Sequence, residues 1–244
     1  MKNETALKEV ETRSATTGQM RDIYGLAIQA VPTDLSFEVA QRVIGSKSEF
    51  IAQVRGLFPD PETIRDPLKQ WEVLYREEFG ETHDFSGLRI PEKQKGFGRL
   101  IIVAKGLTMN GVYDACVKRF PCWRYADDLD GNVPTNDRTP TEHYAIWVRD
   151  RVEADEELKN LSADDLAARN IKGVTLLERM LHELKYFLET WKHLDIQNVT
   201  LCSGSRNADG CVPSAGWGGG EFGVGWGYRG DRLPSLRSRQ AVTP

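Results

Sequence analysis

The segment Asp127-Asp128-Leu129-Asp130-Gly131-Asn132 has the oxygen donors and the glycine of a calcium loop. Such a loop carries its ligands on to a Glu at the twelfth position. Counting from Asp128, that position is Thr139, so a turn whose carboxylates satisfy its own backbone is expected instead. Asp150, Glu153, Asp155, Glu156 and Glu157 offer carboxylates for acid–base work, but Arg149 and Arg151 are interleaved with them. A solvated cluster at a helix start, favoured by the helix dipole, fits that composition better. The histidines (His83, His143, His182, His193) are scattered; the last two stand three turns apart on one expected helix, too far to share a metal. Cys116/Cys122 and Cys202/Cys211 do not have zinc spacing, although the second pair flanks a turn and could bridge in an oxidising compartment. Ser203-Gly204-Ser205 lacks the Gly-x-Ser-x-Gly frame of an esterase nucleophile. These groups call for no catalytic residue, no metal and no cofactor.

The unusual chemistry lies further on. In the fifteen residues from Gly216 to Gly230, eight are glycine. Phe222, Val224 and Trp226 alternate with Gly223, Gly225 and Gly227, and a period of two places the large residues on one face of a strand and the glycines on the other. Phe222, Val224 and Trp226 are therefore expected in the core, with Gly223 and Gly225 facing solvent or a partner. Glycine in a strand interior lowers stability and supplies no packing, so a chain selected for folding alone rarely places it at three successive outward positions. A strand against which another backbone packs closely is the plainer alternative.

Ser203 to Asn207, Val212-Pro213, Trp217, Phe222-x-Val224-x-Trp226 and Leu236 to Val242 together form a skeleton. It resembles the variable region of target proteins of diversity-generating retroelements. The resemblance is motif by motif over about the last forty residues and looser from Leu100 to Val242. It implies a C-type lectin-like domain whose variable residues occupy a solvent-facing sheet and its loops. In such regions adenine-directed mutagenesis turns an Asn codon into Gly, Ser, Tyr, Arg, Asp, Ala or Cys. The positions this implies as ligand-binding are Ser214, Ala215, Gly216, Gly218, Gly219, Gly220, Gly223, Gly225, Gly227, Tyr228, Arg229, Gly230, Asp231 and Arg232. The implied function is non-enzymatic binding of an unknown ligand, a protein in the first instance, with Tyr228 and Arg229 as anchors. Two other readings stand beside it. One is an enzyme or cofactor-binding protein whose Gly-rich strand meets a ligand with its backbone. The other is a weak nucleic-acid contact through Arg229, Arg232, Arg237 and Arg239, of which Arg237 and Arg239 suit structural ion pairs.

The elements that would hold this surface can be read from the spacing of apolar residues. Residues 1–16 are polar, and helical spacing follows from Gln19 to Phe79, with a start at Asp34-Leu35-Ser36, a stop at Gly45 and Pro67 in a first turn. Arg99–Ala104 and Tyr144–Val148 read as buried strands, Met109–Phe120 as a helix, and Ser162 as the cap of a short one. The longest helix runs from about Thr175 to Leu194, with Leu177, Leu181, Leu184 and Leu188 expected inside and Glu178, Lys185 and Lys192 outside. The fold class is therefore α+β, with an N-terminal helical unit over 1–85 and the variable domain over 86–244.

Composition adds exclusions. With 32 basic and 36 acidic residues in 244, the net charge of −4 argues against a general nucleic-acid binder. No run approaches the roughly 20 apolar residues of a membrane span, and no apolar stretch follows Lys2. A cytoplasmic protein with reduced thiols is the expectation, with no membrane partner.

Overall fold

The computed structural model describes residues 34–47 and 66–243, together with Ile23, Val31, Pro32, Phe50 and Val54. The expected helix around Met20–Ile28, and most of the one around Phe50–Leu57, lie outside the described residues. The chain divides into two compact units, residues 1–67 and 68–244. In the first, helix α1 (Phe37–Gly45) starts at Ser36, whose hydroxyl accepts from the Val39 N–H, and ends at Gly45 as expected.

The division falls at Pro67/Leu68 rather than near residue 85. The reason is packing: Trp71, Leu74, Tyr75 and Phe85 belong to the core of the larger unit. Helix α2 (Pro67–Leu74) runs on into a π-helical turn at Tyr75–Phe79. The Tyr75 hydroxyl donates to the Ile102 carbonyl and accepts from the Ala104 N–H, tying this segment to strand β1 (Arg99–Val103).

There follow α3 (Met109–Val117), β2 (Cys122–Arg124), α4 (Leu129–Asn132), β3 (Thr135–Asn136) and β4 (Tyr144–Val148). Then come α5 (Ala163–Ala168), α6 (Leu176–Thr190), β5 (Val199–Leu201), β6 (Ser205–Arg206), β7 (Val212–Gly218), β8 (Glu221–Gly227) and β9 (Leu236–Arg237). This is an α+β arrangement. The principal sheet has the order β2-β8-β7-β5-β9, with β2/β8 and β5/β9 parallel and the other neighbours antiparallel. β1/β4 and β3/β6 are separate antiparallel pairs.

Helix α6 organises the core. Thr175 and Glu178 close a capping box at its start, and it packs on α3, β1 and β7. Leu177, Leu181 and Leu184 are buried as the spacing requires, while Leu188 is half-buried. Glu178 and Lys185, expected outside, are buried too. A helix enclosed on nearly every side has no solvent face, so its charges are paired: Glu178 with Arg138, Lys185 with Glu189, Arg179 with Glu183. The helix stops at Thr190, short of Leu194, because Trp191 takes a left-handed conformation (φ 56°) at its end.

Candidate ligand-display surface

Strand register fixes which residues share a face. In the β7/β8 hairpin, Ala215 pairs with Val224 and Trp217 with Phe222, facing the core. Ser214 pairs with Gly225, Gly216 with Gly223 and Gly218 with Glu221, facing the other way. Phe222 and Val224 are fully buried and pack in the main core. Trp226 has the parity of Phe222 but is 46% exposed, so its expected burial is corrected. Strand β2 ends opposite Val224, and beyond it Trp226 meets Tyr228 edge to face with ring centroids 5.5 Å apart.

The opposite face is not bare along its whole length. Where β5 and β9 join, Leu201, Val212 and Leu236 form a second small core with Ala163 of α5. The uncovered part is the β2/β8/β7 end. There Gly223 and Gly225 are half-exposed, and an added Cβ would meet nothing closer than 3.9 Å at Gly223 and 3.5 Å at Gly225. Trp123 of β2 stands beside Gly223 in register and is 50% exposed. Nothing in the sequence pattern distinguished this tryptophan from a core residue.

The expected binding positions separate into groups. Gly218, Gly219, Gly220, Tyr228, Arg229, Gly230 and Arg232 are exposed; Ser214, Gly223, Gly225, Gly227 and Asp231 are half-buried. Ala215 is buried in the main core, because its register with Val224 points it inward, and it does not belong to a binding surface. Gly216 faces outward but lies under the Asp195–Asn198 segment, where a Cβ would sit 3.2 Å from the Asn198 carbonyl oxygen. At that one position the close-packed-backbone alternative is the correct one. Gly219 and Gly220 form the two-residue hairpin loop, both with positive φ (64° and 89°), the requirement of a type I′ turn. Asn enters the left-handed region readily and alanine does not, so Gly219→Asn should be near neutral in urea denaturation. Gly220→Ala should lose about 1–2 kcal/mol; equal, negligible losses at both sites would remove this turn assignment.

The loop after β8 is held rather than free. Tyr228 N–H donates to Asp231 Oδ2, Arg229 pairs with Asp164 and Arg232 with Asp165, both acids lying in the first turn of α5. The hydrogen bonds from Arg232 and Ser162 hold the Asp165 carboxyl well below the usual range. Arg237 pairs with Glu156 and Arg239 with Asp195, so each arginine of the C-terminal cluster faces a carboxylate.

The other candidate groups are committed to structure. Asp130 accepts from the Met109 and Asn110 N–H groups at the start of α3, and Asp128 from Gly131 and the Asn110 side chain. The acidic cluster divides: Asp150, Glu156 and Glu157 are exposed, the last two in the first turn of a 3-10 helix at Glu156–Leu158, as expected of a solvated helix start, whereas Asp155 and Glu153 are committed to structure. Asp155 is buried against Arg149 and the Gln240 N–H, and Glu153 accepts from Gln197 and Asn198. His182 is buried, and desolvation together with Arg239, Arg99 and Arg179 holds its pKa well below the usual value. His193 stacks on Trp217 with ring centroids 3.3 Å apart. All four cysteines are free thiols, and burial pushes Cys122 and Cys202 up to about 12. Among the described residues no group of three or more His, Cys, Asp or Glu is placed to hold a metal ion, and no helix is long and apolar enough to cross a membrane.

The chain matches no family model, no curated protein and no solved structure.

Proposed function

We propose that this chain is a non-enzymatic binding protein of the retroelement-diversified kind, with a C-type lectin-like domain and a ligand surface at the β2/β8/β7 end of its sheet. The carrying observation is the register of the β7/β8 hairpin. Core contacts fall on Phe222, Val224, Ala215 and Trp217, and positions of the diversifiable type fall on the opposite face and the following loop. A face on which side chains can be exchanged without touching the core suits a protein ligand better than a reaction. Catalysis needs atoms fixed within about half an ångström by a supporting shell. The contact set is Ser214, Gly218, Gly223, Gly225 and Gly227 to Arg232, with Trp123 on the glycine face and Trp226, on the other face but against Tyr228 of the loop, as aromatic neighbours that stay constant. Aromatic and arginine side chains dominate interface energies, so Tyr228 and Arg229 are the anchors.

The test exchanges this set between sister proteins and follows ligand binding and thermal melting. Binding should travel with the set, and the melting temperature should change little. Binding that stays with the recipient scaffold, or a turnover activity abolished by one substitution in the set, would overturn the reading. The coding DNA gives an independent check: an adenine-rich near-copy of the codons for residues 205–232 beside a reverse-transcriptase gene.

A further inference from the structure

A cavity of about 150 Å³ opens between α5 and β6. Its lining includes Leu166, Asn170, Lys172, Ser203, Arg206 and Asp137. Arg206 is half-buried, and its Nη1 donates to the carbonyls of Ser203 (2.8 Å) and Ser205 (2.7 Å). Those carbonyls orient the guanidinium but bring no negative charge. Arg229, Arg232, Arg237 and Arg239 each have a carboxylate within ion-pair distance, whereas Arg206 has none among the described residues. Burial lowers its pKa from the usual value, and Asp137, whose carboxylate acts on it from beyond ion-pair distance, only partly opposes that.

The chemistry of the lining narrows what would fill it. Lys172 and Arg206 contribute two positive charges and Asp137 one negative, a balance of +1. A singly charged anion neutralises that balance, and a doubly charged phosphate overshoots it. A guanidinium fork donates two parallel N–H···O bonds to a planar carboxylate. We propose that this cavity is a carboxylate-binding site, with Arg206 supplying the fork and Lys172 the second positive charge. The assignment does not depend on whether the neighbouring glycine face is diversified. A free organic acid and the Asp or Glu side chain of a protein partner present the same group.

The experiment is an amide and arginine side-chain NMR titration of the full chain at constant ionic strength. The ligands are acetate, acetamide, phosphate and N-acetylglutamic acid α-amide. Acetate should give saturable shifts confined to Lys172, Ser203 and Arg206, in the millimolar range, and acetamide none. Arg206→Lys, which keeps the charge and loses the fork, should weaken acetate binding about tenfold. Lys172→Gln, at an exposed position, should weaken it about threefold. The unshifted remainder of each variant's spectrum shows that it has folded. Tighter binding of the glutamyl amide than of acetate places the carboxylate on a protein partner, and equal binding places it on a small acid. Shifts that never saturate, an equal response to acetamide, tighter binding of phosphate, or indifference to both substitutions would overturn the proposal.

Discussion

Replacing Asp195 with Ala should cost about 3–5 kcal/mol, the loss that follows when one partner of a buried ion network is removed. Its carboxylate is fully buried and accepts from Arg179 Nε (2.9 Å), Arg239 Nη2 (2.6 Å), the Thr200 hydroxyl (2.5 Å) and the Ala154 N–H (2.8 Å). With Glu183, which pairs with Arg179, the network holds two positive and two negative charges. It joins α6, the Asp195–Asn198 segment that covers Gly216, strand β5 and the C-terminal segment. Removing Asp195 leaves two buried guanidinium groups with one carboxylate between them. Burial pushes the Asp195 carboxyl up, but Arg239, Arg179 and Thr200 outweigh it and hold its pKa below the usual value. Stability from this group is therefore complete above the unfolded value of about 3.9 and is lost as pH falls through the lower folded value. Urea denaturation between pH 7 and pH 2 checks both statements. An Asp195→Ala loss under about 1 kcal/mol would show that the network is solvated. Asp195→Leu combined with Arg239→Leu should cost less than the two single changes summed, because each change removes the charge the other strands.

This network was the least legible part of the sequence. Asp195 follows a helix and precedes a strand, a context in which an acid reads as a solvated loop residue. Its burial depends on Arg179, Thr200 and Arg239, separated from it by as many as 44 residues. The same limit explains Glu178 and Lys185: helical periodicity reports one apolar stripe, and nothing in it announces that a second layer covers the polar side. Legible features were those decided by neighbours along the chain. The Ser36 and Ser162 caps, the Gly45 stop, strands β1 and β4, and the alternation in β8 all fall in this class. The candidate surface divides along the same line. Gly223 and Gly225 followed from parity alone. Ala215 was misread because its partner across the hairpin decides its face, and Gly216 because a distant backbone covers it; Trp123 was not singled out at all, because it reaches Gly223 from a strand far earlier in the chain.

The alternation of β8 also carries the second large effect. Parity alone assigns Phe222 and Trp226 equal roles, whereas strand β2 stops opposite Val224, between them, while β7 stays paired with β8 as far as Gly227. Phe222 has no exposed surface, meets Phe120 edge-on at 6.1 Å and lies 5.5 Å from the Arg179 guanidinium. Phe222→Ala should therefore lose about 3–5 kcal/mol, the transfer energy of the ring together with the cavity it leaves. Trp226 is larger, but β2 stops short of it and nearly half its surface is in water. Trp226→Ala should lose about 1 kcal/mol or less. The two variants, compared by chemical denaturation, separate a strand buried along its length from one that leaves the core midway. Equal losses would restore Trp226 to the core and withdraw it from the ligand surface. If the losses differ as expected, the half-exposed indole beside Tyr228 is free to contribute contact area. Trp226→Ala should then weaken ligand binding while leaving the fold in place. A side chain that is costly for binding and cheap for folding is what a display surface requires of its constant residues.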